Sequence, residues 1–109
     1  MNVRLYLWQR LTATIMLPLL LIHLVVIFYA MRKGFTAADI LGRTRGSIAW
    51  AVFYATFVAA AAVHAPIGLR TVLIEWTPLR VRACDLAAIA FGVLLAALGF
   101  RAVAAVVLP

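Results

Sequence analysis

Hydrophobic residues fill three long stretches of the chain, and two short polar segments separate them. The stretches cover residues 11–31, 47–69 and 84–108. Because about 20 helical residues cross a hydrocarbon core of about 30 Å, each stretch predicts one transmembrane helix. We therefore predict an all-α membrane protein with three transmembrane helices, folded as a single domain over residues 1–109.

The composition favours a bilayer environment. Hydrophobic residues make up 68% of the chain and charged residues 12%, which is too few to cover a surface that faces water. A net charge of +7 would favour nucleic acid as partner of a soluble protein, but most basic residues here lie at helix ends and in the polar segments. We expect anionic lipid headgroups as the counterpart, and no nucleic acid. The single cysteine, Cys84, excludes an internal disulfide, and no Cys-x-x-Cys-His run is present for covalent haem attachment.

Local signals predict one short helix and one packing face. Thr36, with Asp39 three residues later, predicts a capped surface helix in the first polar segment. Gly92, Ala96 and Gly99 recur at spacings of four and three residues, so one face of the last helix is flat enough for close backbone approach. We expect this face to serve helix packing rather than chemistry.

Two histidines, His23 and His64, lie inside the predicted transmembrane helices. An ionisable side chain in a membrane helix is a functional-site hypothesis by default, and imidazole is a common ligand of haem iron. From helix geometry, His23 lies near the bilayer centre. His64 lies about 9 Å past the centre of its own helix, toward the membrane face on which the N-terminus of the chain lies. The alternative for each ring is a structural role, hydrogen-bonded inside a helix bundle.

The depth of the two rings decides whether they can share a metal. From the rise per residue along each helix, the rings of His23 and His64 differ in depth by more than about 10 Å. The two axial ligands of one haem must place their nitrogens only about 4 Å apart, because each lies about 2 Å from the iron. We therefore do not expect His23 and His64 of one chain to share a haem. The second ligand for His64 is expected from another polypeptide.

The residues that follow His64 suit a porphyrin. Gly68 and Thr71 lie at i+4 and i+7, share its helix face and leave a gap of small residues beside the ring. Arg70, near the membrane edge, is a candidate partner for a haem propionate, since a guanidinium binds a carboxylate through two parallel hydrogen bonds. These residues form the predicted cofactor-binding set.

Two short motifs resemble those of a known family. The string His64-x-x-x-Gly68-Leu69-Arg70, followed by Glu75, resembles the second-helix signature of the cytochrome b membrane-anchor subunits of succinate dehydrogenase and fumarate reductase. The run Arg10-Leu11-Thr12-Ala13 is similar to the Arg-x-[Ser/Thr]-[Gly/Ala] sequence that opens their first helix. The resemblance implies that this chain forms half of a multi-helix haem-binding bundle, in which small three-helix anchors hold b-type haem and a quinone site.

The resemblance also implies roles and partners. His64 becomes an axial ligand of haem b, and the quinone-binding candidates are Arg10, Tyr6, Glu75 and Trp76. Tyr6 stands where one anchor type often has Ser, and Glu75-Trp76 stands where the other often has Asp-Tyr, so the type of anchor stays open. The implied partners are a second membrane-anchor subunit, an iron-sulfur subunit and a flavoprotein subunit. The chain itself is then a non-catalytic anchor of an oxidoreductase complex.

His23 suggests a second haem. Single-haem members of this family need only the second-helix histidine of each anchor, and a deeper histidine on the first helix fits the two-haem members. The implied function is electron transfer between iron-sulfur centres and quinone in the tricarboxylic acid cycle. The implied location is the cell inner membrane, as a multi-pass protein. Positive charge alone barely orients the chain, and we expect a cytoplasmic N-terminus.

Two alternatives come from different functional classes. A haem-free hydrophobic scaffold would anchor soluble redox subunits without carrying electrons, as some fumarate reductase anchors do. A small transporter or channel subunit would need intramembrane carboxylates or a polar pore face. The three acidic residues, Asp39, Glu75 and Asp85, all lie at helix edges, which disfavours the transporter.

Overall fold

The described part of the protein contains four α-helices. The computed structural model describes residues 2–109, and this part of the chain contains no strand. The helices are α1 (Val3–Lys33), α2 (Ala37–Thr44), α3 (Ile48–Trp76) and α4 (Val81–Val107). Helices α1, α3 and α4 are long and apolar enough to cross a membrane, which confirms the predicted all-α membrane architecture.

All three long helices extend beyond the predicted apolar stretches, α1 and α3 the furthest. α1 begins at Val3, well before the first stretch, because the Asn2 side chain accepts hydrogen bonds from two backbone N–H groups of its first turn. α3 continues past its stretch to Trp76 and stops before Pro78. Hydrophobic residues mark where lipid begins and ends, whereas backbone hydrogen bonding carries a helix on into the polar layer.

α3 is the centre of the molecule. It packs against α1 and against α4, whereas α1 and α4 make only marginal contact with each other. The described chain measures 48 × 22 × 22 Å, so its long axis follows the helices. The start of α1, the end of α3 and the start of α4 form one end, here called the proximal end. The end of α1, helix α2, the start of α3 and the end of α4 form the distal end.

A regular stripe of α1 is covered by the rest of the protein. Covered positions alternate at spacings of four and three residues, which is the repeat of a helix that packs along one seam. The stripe consists of Leu5, Gln9, Thr12, Met16, Leu19, His23, Val26 and Ala30. Polar residues therefore enter the α1–α3 interface at Gln9, Thr12 and His23.

Small residues let α4 approach α3 closely. An added Cβ at Gly92 would lie 2.9 Å from Cγ of Pro66 and 3.2 Å from the carbonyl oxygen of Ala62, both on α3. Pro66 has no backbone N–H to donate to that oxygen, which faces Gly92 instead. Two turns further along α4, an added Cβ at Gly99 would lie 2.5 Å from a methyl carbon of Val58. The packing role predicted for this face is confirmed.

The short helix α2 closes the distal end. Its predicted cap is present, because the Thr36 side chain accepts from the Asp39 N–H and the Asp39 carboxylate accepts from the Thr36 hydroxyl and N–H. Hydrogen bonds from the side chain and backbone of Thr36 lower the pKa of Asp39. The Thr44 hydroxyl and the Gly46 N–H donate to two carbonyls at the end of α4, at 2.6 and 2.7 Å. These contacts pair oxygens that a helix end otherwise leaves free.

The ten basic residues divide equally between the two ends. The proximal set is Arg4, Arg10, Arg70, Arg80 and Arg82, and the distal set is Arg32, Lys33, Arg43, Arg45 and Arg101. The positive-inside rule therefore gives no orientation, and a cytoplasmic N-terminus stays a prediction. Most large hydrophobic side chains are exposed, at positions that lipid or partner helices cover in a membrane.

Replacing Gly92 by alanine should loosen the α3–α4 interface. The new methyl group meets the Pro66 ring and a backbone carbonyl, so we expect a loss of about 1–3 kcal/mol in the free energy of unfolding. Gly42→Ala is the matched control, because nothing lies within 4 Å of its added Cβ. Thermal unfolding in detergent, followed by circular dichroism, should show a lower midpoint for Gly92→Ala alone. Equal midpoints for the two variants would contradict tight packing at Gly92.

Candidate functional site

His64 is hydrogen-bonded to the neighbouring helix. Its Nδ1 atom lies 3.2 Å from the hydroxyl oxygen of Thr12, a residue of α1 that is only 4% exposed. The same hydroxyl lies 2.8 Å from the carbonyl oxygen of Trp8, one turn earlier in α1, and donates its proton there. When Nδ1 carries the ring proton, the Thr12 oxygen accepts a hydrogen bond from it. The ring is thus held across the α1–α3 interface.

This arrangement selects one tautomer of His64. With the proton on Nδ1, two hydrogen bonds form, one from Thr12 to the Trp8 carbonyl and one from His64 to Thr12. With the proton on Nε2, Thr12 must turn its single proton toward Nδ1, so only one of these two hydrogen bonds forms. A hydrogen bond contributes about 0.5–1.5 kcal/mol, and this difference separates the two tautomers. The Nδ1-protonated form is therefore favoured.

The other ring nitrogen of His64 is available to a ligand. Nε2 makes no hydrogen bond to residues 2–109 and is not among their fully covered polar atoms, so it can be reached from outside the chain. In the favoured tautomer it carries a lone pair. A neutral imidazole whose other nitrogen is hydrogen-bonded is the usual form of a metal-bound histidine. The chemistry of this ring fits an axial ligand of haem iron.

His23 forms a similar pair at a different depth. Its Nδ1 atom lies 3.4 Å from the hydroxyl oxygen of Tyr54 on α3, and its ring packs edge-on against Tyr54 and Phe57. Because His64 is level with Thr12 and His23 lies about three turns further along α1, the two rings are about 16 Å apart along the helix axis. The structure therefore has the depth difference that the sequence predicts, and one chain cannot place both rings on a single haem.

Two apolar cavities flank the His23–Tyr54 pair. One, of about 640 Å³, lies between α1, α2 and the start of α3, and the other, of about 260 Å³, reaches from the same pair to α4. Thr44 of α2 lines both. Arg43 lines the larger cavity, where its guanidinium lies 5.6 Å from the centre of the Tyr29 ring. The distal histidine thus lies beside open space.

The space beside His64 differs from the predicted gap. An added Cβ at Gly68 would lie 3.5 Å from the side-chain nitrogen of Gln9, so within this chain Gln9 occupies that space. Thr71 turns its hydroxyl to the Ile67 carbonyl. The Gln9 side-chain oxygen is fully covered and has no hydrogen-bond partner among residues 2–109. Buried oxygens of this kind are normally paired, so Gln9 points to a donor from water, a ligand or another polypeptide.

Arg70 pairs with Asp85 across the α3–α4 interface. Its Nε atom lies 2.5 Å from a carboxylate oxygen of Asp85. The two residues line a groove of about 720 Å³ between α3, α4 and the start of α1. Arg70 projects about 120° around α3 from His64, so the two side chains leave the helix on different faces. The Nε atom of Arg70 is engaged by Asp85, and the propionate contact of Arg70 stays a prediction.

Two of the predicted quinone residues lie together on an outer face of α1. Arg10 and Tyr6 are both exposed, and the Arg10 guanidinium lies 5.8 Å from the centre of the Tyr6 ring. Arg10 precedes Thr12 by two residues, so it is within about 3 Å of the level of His64 along the helix axis. It leaves α1 on the side opposite Thr12. The haem candidate and the quinone candidates thus share a depth but not a face.

The other two quinone candidates, Glu75 and Trp76, lie at the same end in the last turn of α3. Both are exposed, Trp76 to 81%. No hydrogen bond or ion pair joins either side chain to Arg10. The structure places all four candidates at the proximal end without bringing them into one cluster.

A complete metal site is absent from the described part of the chain. No group of three or more His, Cys, Asp or Glu side chains within residues 2–109 is placed to hold a metal ion. Iron bound by His64 or His23 would therefore need a ligand from outside these residues. This agrees with the donor chemistry of His64, which offers one nitrogen.

Sequence reasoning missed the residues that hold the candidate side chains in place. These are Gln9, Thr12, Tyr54 and Asp85. A signal existed for the first two, because both fall on the four-three spacing of covered positions along α1 that also includes His23. The strongly apolar character of α1 as a whole hid that spacing.

Comparison with known proteins identifies a family. The family model of the succinate dehydrogenase/fumarate reductase transmembrane subunit matches residues 2–104. No curated protein and no solved structure gives a significant match. The matched region includes both motifs on which the resemblance rested, at Arg10 and at His64.

Proposed function

The chain belongs to the succinate dehydrogenase/fumarate reductase transmembrane subunit family, and we propose that it binds b-type haem through His64 and helps to form a quinone site. The observation that carries this proposal is the state of the His64 ring. Nδ1 is engaged by a buried hydroxyl, whereas Nε2 has no partner in residues 2–109 and is reachable from outside. A histidine with only a structural role gains nothing from such an open nitrogen in lipid.

The chain supplies one half of the haem site. His64 would hold the haem iron through Nε2, with Nδ1 bonded to Thr12. A further protein ligand would come from another polypeptide, because His23 lies about 16 Å away along the helix axis. When bound, haem b supplies a one-electron carrier inside the bilayer. The protein orients the His64 ring through Thr12 and carries the Arg70 cation near the membrane edge.

The outer face of α1 supplies part of the quinone site. The Arg10 cation, at nearly the level of His64, stabilises negative charge on a quinone oxygen as the quinone is reduced. The Tyr6 ring lies against the Arg10 guanidinium and restricts its movement. Glu75 and Trp76, exposed at the end of α3, offer a carboxylate acceptor and an indole N–H donor.

The proposed assembly sets the partners and the orientation. A second membrane-anchor subunit lies beside this chain, and an iron-sulfur subunit and a flavoprotein subunit lie beyond the proximal end, where Arg10 and Glu75 are found. In a cell inner membrane with those subunits on the cytoplasmic side, the N-terminus is cytoplasmic. His23, whose ring borders the two cavities of the distal half, would hold a second haem there.

Substituting His64 by alanine removes the proposed ligand. We expect the b-type absorbance of the purified complex to be lost or displaced, while succinate oxidation with an artificial acceptor stays intact, because that reaction belongs to the soluble subunits. Reduced-minus-oxidised spectra with haem quantified per complex provide the measurement. A normal b-type spectrum in His64→Ala would show that the ligand assignment is wrong. A wild-type complex without a Soret band would favour the haem-free scaffold.

Substituting His23 by alanine tests the second haem separately. We expect the haem content per complex to fall from two to one, with the spectrum of the remaining haem unchanged, because the two rings lie at different depths. Pyridine haemochrome analysis of the intact complex gives the stoichiometry. An unchanged haem content would reject the second haem and leave His23 with a structural role beside Tyr54.

Substituting Arg10 by glutamine tests the quinone site. Removing the cation should lower the rate of quinone reduction by roughly a hundredfold or more, by analogy with the loss of one stabilising donor from a charged transition state. Arg4→Gln is the matched control, since Arg4 is also an exposed cation at the proximal end. The rates are measured with succinate and a soluble quinone analogue. Equal rates for the two variants would remove Arg10 from the site.

A further inference from the structure

We infer that Thr12 is a positioning residue for His64: its hydroxyl keeps the imidazole protonated at Nδ1 and directs Nε2 away from the α1–α3 interface. The inference rests on the proposed function, because it assigns Thr12 a role toward a haem ligand. Thr12 itself contacts neither iron nor quinone. It acts through His64 alone.

The backbone of α1 sets the direction of the Thr12 hydroxyl. The oxygen lies 2.8 Å from the Trp8 carbonyl, 3.2 Å from the Gln9 carbonyl and 3.2 Å from Nδ1 of His64. Both carbonyls only accept, so the hydroxyl can donate its proton within α1. Thr12 then offers the ring a lone pair, and a second hydrogen bond forms when Nδ1 carries the ring proton. The conformation of one helix thereby favours one tautomer of a side chain on another.

The pair formed by His23 and Tyr54 lacks this control. The Tyr54 hydroxyl makes no other hydrogen bond to residues 2–109, so it can either donate to Nδ1 or accept from it. Both tautomers of His23 are therefore compatible with the pair. Thr12 differs because a second acceptor fixes its proton. The structure thus assigns a fixed tautomer to His64 and leaves His23 free.

A fixed tautomer has two consequences for a haem ligand. An imidazole that donates from Nδ1 is a stronger base at Nε2, which strengthens the bond to iron and favours the ferric state. The hydrogen bond also fixes the plane of the ring, because it ties one edge to a residue that is 4% exposed. Loss of the acceptor should therefore weaken haem binding and shift the reduction potential to a more positive value.

The tautomer can be measured directly in the chain without haem. In ¹⁵N NMR spectra of the histidine-labelled full chain in lipid bilayers, protonated and unprotonated ring nitrogens give distinct shifts. The His64 signals, assigned by their loss in His64→Ala, should show a protonated Nδ1 in the wild type and in Thr12→Ser. Thr12→Val should populate the Nε2-protonated form. A wild-type His64 protonated at Nε2 overturns the inference without reference to any variant.

The haem-loaded complex gives the second measurement. We expect Thr12→Val to lower haem affinity about tenfold to a hundredfold, which is typical for the loss of a hydrogen bond to a metal ligand, and to raise the reduction potential of the haem that remains. Thr12→Ser should retain both wild-type values. Thr14→Val is the matched control, because Thr14 is exposed and makes the same kind of bond, at 2.8 Å to the Arg10 carbonyl.

The outcomes separate this inference from the proposed function. If haem depends on His64 but Thr12→Val matches Thr14→Val in affinity and potential, Thr12 has no positioning role and the haem assignment stands. If His64→Ala keeps its haem, the proposed function fails first. If Thr12→Val loses affinity and Thr12→Ser loses it equally, the role of Thr12 is packing rather than hydrogen bonding, which also overturns the inference.

Discussion

The hydrogen bond from His64 to Thr12 is the contact on which the candidate site depends. In lipid, no water satisfies a polar ring, so each imidazole nitrogen needs a partner from the protein or a ligand. The chain gives His64 one partner, on the neighbouring helix, and leaves Nε2 reachable from outside. A ring satisfied on one side only can take a further partner at Nε2, and the family to which the chain belongs consists of subunits that work within a larger complex.

The two interfaces of α3 differ in kind: the one with α4 is made by close packing, and the one with α1 contains the candidate functional side chains. Toward α4 the contacts are made by small residues and a proline, with Gly92 against Pro66 and Gly99 against Val58. Toward α1 the contacts include the hydrogen bonds of both histidines, and α1 contributes polar residues at positions that aliphatic side chains would otherwise fill. The closely packed α3–α4 pair thereby gives a rigid support from which α3 presents His64.

The sequence predicted the three transmembrane helices, the cap at Thr36 and the packing face of α4, because each depends on local composition or spacing within one segment. Two short motifs indicated the family that the match to residues 2–104 then identified. Contacts between side chains of different helices could not be predicted from the sequence. The pairing of Arg70 with Asp85 depends on how α3 and α4 rotate against each other, and the position of Gln9 beside Gly68 depends on the register of α1 against α3. The hydrophobic pattern determines neither the rotation of α3 against α4 nor the register of α1 against α3.

The most direct measurement is an experimental density map of the intact complex in lipid, at a resolution that shows ring planes. The account predicts a porphyrin whose iron is bound by Nε2 of His64 and by a histidine of a different polypeptide, with Nδ1 of His64 still within hydrogen-bond distance of the Thr12 hydroxyl. A map in which Nε2 of His64 meets only lipid or protein side chains, with no porphyrin beside it, would contradict the account.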